Sequence, residues 1–335
     1  MKKKVIYIPL AILILVAGSA HYLFQWNPFK TLYSGSVRIN NMEREFYYYV
    51  PPGVSAHPKL IFALHGSKMT AMEMIIATGH QFNKLADENK NVIIVYPQGY
   101  KRSWNTCKAD STREAKKLNL DDVGFIERVI NFFSTHYNID GNEVFAMGVS
   151  NGAQMCYKLA KEKPGLFKGF AAVNANLPVK TNNDCFETNQ PVSILVMNGT
   201  ADPIEPYNGG EIRLNDGVSH GSVVSTDQTM HYWEILAKCD MAPVKEVDFP
   251  DIDKDDNSNA VLYAYKSAVT NKEVVLIKII NGGHNIPNPT FFLWPKILGN
   301  VNKDINAPKI IFDYFMSLTP PRDQKNNSFW ELKVK

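Results

Sequence analysis

The chain reads as an α/β protein with a mostly parallel central sheet covered by helices on both faces. Three observations predict this. Short apolar runs alternate with stretches of helical spacing, the order that a helix-covered parallel sheet requires. One of those runs passes through Gly148-Val149-Ser150-Asn151-Gly152 straight into a helical pattern, giving a strand–turn–helix. The chain has 335 residues, 45% of them hydrophobic, enough to bury one large core.

The first segment stands apart from that sheet. Lys2, Lys3 and Lys4 precede an apolar run from Val5 to Ala17, followed by Gly18-Ser19-Ala20. A basic start, a short apolar run and small residues describe an export signal, with cleavage fitting after Ala20. The rival is an uncleaved anchor, because Val5 to Phe24 is about long enough to span a bilayer with the lysines left in the cytoplasm. Pro9 and His21 weaken the anchor reading, and no cysteine follows the run to carry a lipid. Residues 1–24 are therefore expected to be a signal peptide or membrane anchor, with any membrane attachment running through residues 5–24. Residues 32–318 are expected to form one folded domain and 319–335, with Pro320-Pro321 near its start, a polar tail. The domain is expected outside the cytoplasm: periplasmic, secreted or anchored.

The elements of the domain follow from pattern and punctuation. Leu32 to Arg38 and Glu43 to Val50 form a hairpin across Asn40-Asn41, stopped by Pro51-Pro52. Lys59 to Leu64 and Asn91 to Tyr96 are short apolar strands with turn signals after them. Ile126, Val129, Ile130 and Phe133 recur at helical spacing behind Asp121-Asp122, acids suited to a helix start. Glu143 to Met147 is a strand, and Ser150 to Lys161 a helix closed by Pro164-Gly165. Further strands are expected at Gly169 to Val173, Val192 to Met197 and Val274 to Ile280. Helices are expected near Ser222 to Ala237 and Ala307 to Ser317.

Charge and cysteines narrow the partners. The net charge is +3, and the three N-terminal lysines account for it, so the remainder is about neutral. No basic surplus is left to neutralise phosphates, which argues against nucleic acid. Cys107, Cys156, Cys185 and Cys239 are widely spaced without a CxxC pair, so no metal site is expected. One or two disulfides fit an oxidising compartment, but spacing alone does not give their connectivity. Cys156, in the helix after the elbow, reads as a buried small apolar residue.

The turn at Ser150 is where chemistry is expected. Small residues two positions before and after it allow a turn tight enough to lift the hydroxyl above the sheet, with a helix N-terminus aimed at any anion formed there. A serine nucleophile needs a base, an acid to orient that base, and donors for the oxyanion. In enzymes built on a nucleophile elbow the order is serine, acid, histidine, each on a loop after a strand. His220, His231 and His284 follow Ser150. His231 lies inside a helical pattern and His220 in a polar loop, whereas His284 follows a strand through Asn281-Gly282-Gly283. His284 is thus the predicted base. Asp202, just past the strand Val192 to Met197, is the predicted acid, with Glu205 as its substitute. The backbone N–H groups of Asn151 and Ser67 are the predicted oxyanion donors. His65, before the serine and next to Gly66, reads as a hydrogen-bonding residue that fixes its loop.

These residues also carry a resemblance. Leu64-His-Gly66, Ser103-Trp104-Asn105, Asp121-Asp-Val-Gly-Phe-Ile126, Gly148-Val-Ser-Asn-Gly-Ala153, Asn198-Gly-Thr-Ala-Asp202 and Gly282-Gly-His284 occur in one order. From about residue 35 to 318 the chain resembles the secreted polyhydroxybutyrate depolymerase and feruloyl esterase branch of the α/β-hydrolases. The resemblance implies an α/β-hydrolase fold and hydrolysis of carboxylic esters through an acyl-enzyme, without a cofactor. The substrate it implies is a small-molecule or oligomeric ester of polyhydroxyalkanoate, feruloyl or acetyl type. It also puts Trp104 near the site as a wall of the substrate cleft, the alternative being a packing residue under its loop. Departures concern specificity. Ser67 stands where many relatives have cysteine, and His284-Asn-Ile-Pro-Asn288 where they often have His-Thr-Trp-Pro-Gly. Cys239 matches a cysteine that in relatives often pairs with one near Ser267, which leaves it a free thiol here. The competing readings are a serine peptidase of the same fold, or a binding protein that keeps the fold without turnover.

Overall fold

The structure is a computed structural model and describes residues 32–213, 219–290 and 295–319. The expected signal or anchor segment lies outside the described residues, as does all but the first residue of the expected tail. Strands β1 (Leu32–Ile39) and β2 (Met42–Tyr49) form the expected hairpin. Asn40 and Asn41 both take positive φ, 47° and 63°, as a two-residue turn matched to strand twist requires. There follow β3 (Lys59–Leu64), β4 (Val92–Pro97), β5 (Val144–Val149), β6 (Gly169–Val173) and β7 (Ile194–Gly199). A small hairpin, β8 (Gly210–Arg213) with β9 (Ser219–Val223), forms a sheet of its own, and β10 (Lys245–Asp248), β11 (Asn259–Lys266) and β12 (Glu273–Ile280) complete the main one.

The main sheet has the order β1-β2-β4-β3-β5-β6-β7-β12-β11-β10. Its centre, from β4 to β12, is parallel throughout, and the antiparallel pairs are confined to the two edges. Alternation along the strands divides the interior in two. Leu60, Phe62 and Leu64 of β3 join one apolar cluster with residues of α4 (Asp122–Tyr137), α5 (Asn151–Glu162) and α6 (Thr226–Ala237). Ile61 and Ala63 join the other, with α1 (Ala71–Ala77), α2 (Gln81–Asn89) and α8 (Ala307–Ser317). Both faces being covered is why these strands read as continuous apolar runs. Two short helices, α3 (Glu114–Lys117) and α7 (Pro295–Leu298), lie in connections. Among the described residues, no helix is long and apolar enough to cross a membrane.

The acids before α4 divide their work. Asp121 caps the helix, accepting from Gly124 N at 2.7 Å. Asp122 turns inward to a buried ion pair with Arg44 of β2 at 2.7 Å, and also accepts from Asn105 N at 2.7 Å. The helix expected from Ser222 begins later, at Thr226. Ser225 and Gln228 form a capping box there, each side chain taking the other's backbone N–H. Ser222 belongs instead to β9. The strand expected from Val192 likewise starts at Ile194 and runs on to Gly199. Cys107 and Cys185 form a disulfide with a Cα–Cα distance of 4.9 Å, joining the connection after β4 to the one after β6. Cys156 is buried, and burial pushes its thiol pKa up. Cys239 is a free thiol, as the resemblance implies.

Candidate active site

Ser150 sits between β5 and α5 with φ 55° and ψ −120°, a conformation that L-residues rarely adopt and that is found where surrounding structure enforces it. Its surroundings do enforce it. A Cβ on Gly148 would lie 2.2 Å from the Gly152 carbonyl oxygen, and one on Gly152 would lie 2.2 Å from that of Leu64. The turn is closed too tightly for any side chain at either position. Ser150 N donates to Val173 O at 2.8 Å, which pins the elbow to the neighbouring strand.

The predicted acid and base arrive from the ends of β7 and β12. His284 Nδ1 meets Asp202 Oδ2 at 2.7 Å, and both side chains are buried. The other Asp202 oxygen accepts from Ile204 N and Glu205 N at 2.8 Å each, so the carboxylate has one orientation. Burial alone would lower the His284 pKa. The charge of Asp202, its hydrogen bond and the more distant charge of Glu205 outweigh burial and raise it. The glycines before His284 serve close approach rather than unusual φ: a Cβ on Gly283 would lie 2.1 Å from Leu298 O. The left-handed residue of that turn is Asn281, at φ 56°. Asn285 O accepts from Asn174 Nδ2 at 2.9 Å, tying the base loop to the end of β6.

Glu205, weighed as the substitute acid, meets other partners. It accepts from Gln154 Nε2 at 3.2 Å and Asn176 N at 3.0 Å, joining the acid loop to α5. Ser67 and Asn151 flank Ser150 in the lining of one cavity of about 540 Å³, which His284 also lines. Asn151 is the first residue of α5, where backbone N–H groups have no partner within the helix. His65 fixes its loop: Nε2 accepts from Gly99 N at 2.9 Å, and Nδ1 donates to Gly66 O at 2.8 Å. Burial lowers its pKa to about 4, so the ring is neutral and this tautomer is retained.

Trp104 is a correction. It is fully buried and does not line the cavity. Its Nε1 donates to His65 O at 2.9 Å, its backbone N donates to Asn151 Oδ1 at 2.8 Å, and its ring lies 5.0 Å from that of His65. It packs under the loops that carry Ser67 and Asn151, so the wall reading fails. The walls come largely from residues the motifs do not name: Lys108, Gln154, Ile212, His220 and Ile297 among them. His220, expected in a loop, stands on β9. Sequence gave no signal for Lys108 beyond its place beside Cys107. Asn198 was legible as part of a motif, and its role is structural. It donates to Ala175 O, Asn176 Oδ1 and Thr226 Oγ1, tying the start of the acid loop to its neighbours.

With this geometry in hand, comparison with known proteins is informative. No family model matches the chain. It is 25% identical over 291 residues to the putative esterase NocK of Nocardia uniformis subsp. tsuyamanensis, covering 84% of this chain and 81% of that one. It is 29% identical over 201 residues to the probable acetylxylan esterase A of Aspergillus fumigatus, covering 56% and 52%; it thus spans about half of that relative's length. It is 28% identical over 201 residues to feruloyl esterase C of Emericella nidulans, covering 59% and 68%. Among solved structures, the acetyl xylan esterase from Aspergillus awamori superposes with a TM-score of 0.52 at 16% identity, over 76% of this chain and 95% of that one, a likeness of fold. Fold and elbow define the class: an α/β-hydrolase. Within that class its sequence is similar to acetylxylan and feruloyl esterases.

Proposed function

We propose that the protein is an exported serine esterase in which Ser150, His284 and Asp202 act as nucleophile, base and orienting acid. The observation that carries this is the His284–Asp202 contact of 2.7 Å, in a cavity shared with a serine on a strained strand–turn–helix. Ser150 Oγ attacks the ester carbonyl as His284 Nε2 takes its proton. The tetrahedral oxyanion is held by the N–H groups of Asn151 and Ser67. Collapse expels the alcohol, which receives the proton from His284, and leaves Ser150 acylated. Water, deprotonated by the same imidazole, then releases the acid. Asp202 keeps Nδ1 protonated toward itself and steadies the imidazolium.

The named relatives support acetyl and feruloyl esters as the first substrates to test. Export is supported by the lysine-flanked apolar N-terminus and by a disulfide that suits an oxidising compartment. The experiment is a panel of acetyl, butyryl and feruloyl esters beside aminoacyl amides, with wild type and Ser150→Ala. Ester turnover should fall by several orders of magnitude in the variant. Near-normal turnover without the hydroxyl, or cleavage of amides in preference to esters, would overturn the reading.

A further inference from the structure

The cavity over Ser150 has two unlike ends. Met69, Ala77, Val149 and Ile286 belong to the apolar cluster on the α1 side of the sheet. The opposite end, toward α5, is lined by Lys108, Gln154, Glu205 and His220, and hydrogen bonds link these in pairs.

Lys108 is the unusual member. It is 7% exposed, and its Nζ donates to the His220 carbonyl at 3.2 Å. Among the described residues no carboxylate lies within ion-pair distance of it, although an ammonium carries three donors and a buried charge ordinarily has a counter-charge. Its backbone is held in place. Cys107 beside it is in the disulfide, Lys108 bridges to Asn183, and Ala109 N and Asp110 N donate to Asn182 at 3.0 Å each. The ammonium is thus presented to the cavity on a stapled loop, the preorganisation a recognition group needs.

Glu205 is the opposing charge to be weighed. Both of its oxygens already accept hydrogen bonds, from Gln154 and Asn176; burial pushes its pKa up and that of Lys108 down, and the charge of each offsets part of the shift in the other. The other carboxylate lining the cavity, Glu73, is paired with Arg102 at 2.6 Å. Lys68 also lines the cavity, so with Glu73 paired the two lysines leave its charge balance toward an anion.

We propose that Lys108 forms an anion subsite in the cleft, and that the preferred substrates are esters bearing a free carboxylate on the half that enters the polar end. The proposal rests on the esterase reading and names the substrate class for that site. The test compares kcat/KM within matched pairs. Para-nitrophenyl hemiglutarate against para-nitrophenyl valerate places the carboxylate on the acyl side. Meta-acetoxybenzoate against meta-acetoxybenzamide places it on the alcohol side. Wild type should favour the anionic member of one pair by about tenfold or more, as a charge-assisted contact in a buried site allows. Lys108→Met should bring that ratio down toward one, and Lys108→Arg should retain most of it. Should Lys108→Met fail to fold, Lys108→Gln removes the charge while keeping a donor, and the same fall in ratio is expected. Equal rates within both pairs in wild type, a preference for the neutral members, or a ratio unmoved by loss of the charge would overturn the proposal. Absence of turnover on every neutral ester would instead strike at the esterase reading.

Discussion

The floor of the cleft and its walls are built by different means. Ser150, Asp202 and His284 each stand within a few residues of the end of a central parallel strand, and adjacent loops touch so closely that glycine is enforced. A Cβ on Gly199, for instance, would lie 2.3 Å from Gly282 O. The walls are made by excursions: the connection carrying Lys108, the β8–β9 hairpin carrying Ile212 and His220, and the short helix α7 carrying Ile297. Register of the central sheet holds the floor, whereas a disulfide, a separate two-stranded hairpin and local bridges hold the walls. Under the proposed function, reaction chemistry is tied to the sheet, and selectivity to segments that can change without disturbing it.

The largest break in the floor, after loss of Ser150 itself, is Asp202→Asn. It should lower kcat by about two to four orders of magnitude, since the imidazole loses both its orientation and its counter-charge. It should also move the pH profile. As the proposed base His284 must be neutral to accept the proton, so its raised pKa should put the acid limb of kcat/KM above the ordinary histidine value of 6.5. Removing Asp202 removes the main raising influence, so the limb should shift to lower pH. A limb that stays in place would mean another group governs it.

Trp104→Ala sharpens the comparison, because this residue supports the floor although the motif suggests a wall. Emptying a fully buried indole site should cost about 3–5 kcal/mol of stability. Turnover of small and bulky esters should fall together. A selective loss on bulky esters at unchanged melting temperature would restore the wall reading.

The smallest effect is expected from the staple of the walls. Cys107→Ser with Cys185→Ser should cost about 2–4 kcal/mol by freeing the unfolded chain. If the disulfide serves the walls alone, KM should rise more than kcat falls. A kcat collapse comparable to that of Asp202→Asn would place the disulfide in the floor's support instead.

The same division explains what the sequence reveals. Strand, turn and glycine signals are local, so the parallel sheet, the elbow at Ser150 and the strand-end positions of Asp202 and His284 could be read residue by residue. The hairpin across Asn40-Asn41 was legible for the same reason. Lys108 and His220 were not, because a wall residue is defined by its partners in space, and the hydrogen bond of the Lys108 ammonium reaches a residue 112 positions away in sequence. Trp104 misled because a motif near a site marks proximity without saying whether the side chain faces the cavity or the core. The start of α6 was misread because Ser222 lies close to the true cap, and only the pairing of Ser225 with Gln228 separates strand from helix.

The most direct test of the account is covalent. Wild-type protein is treated with a fluorophosphonate, and the site of attachment is mapped by peptide mass spectrometry. The account predicts one stoichiometric adduct, on Ser150, abolished by Ser150→Ala and strongly slowed by His284→Ala. Stoichiometric labelling of another residue, or none by a folded protein that still hydrolyses esters, would contradict it.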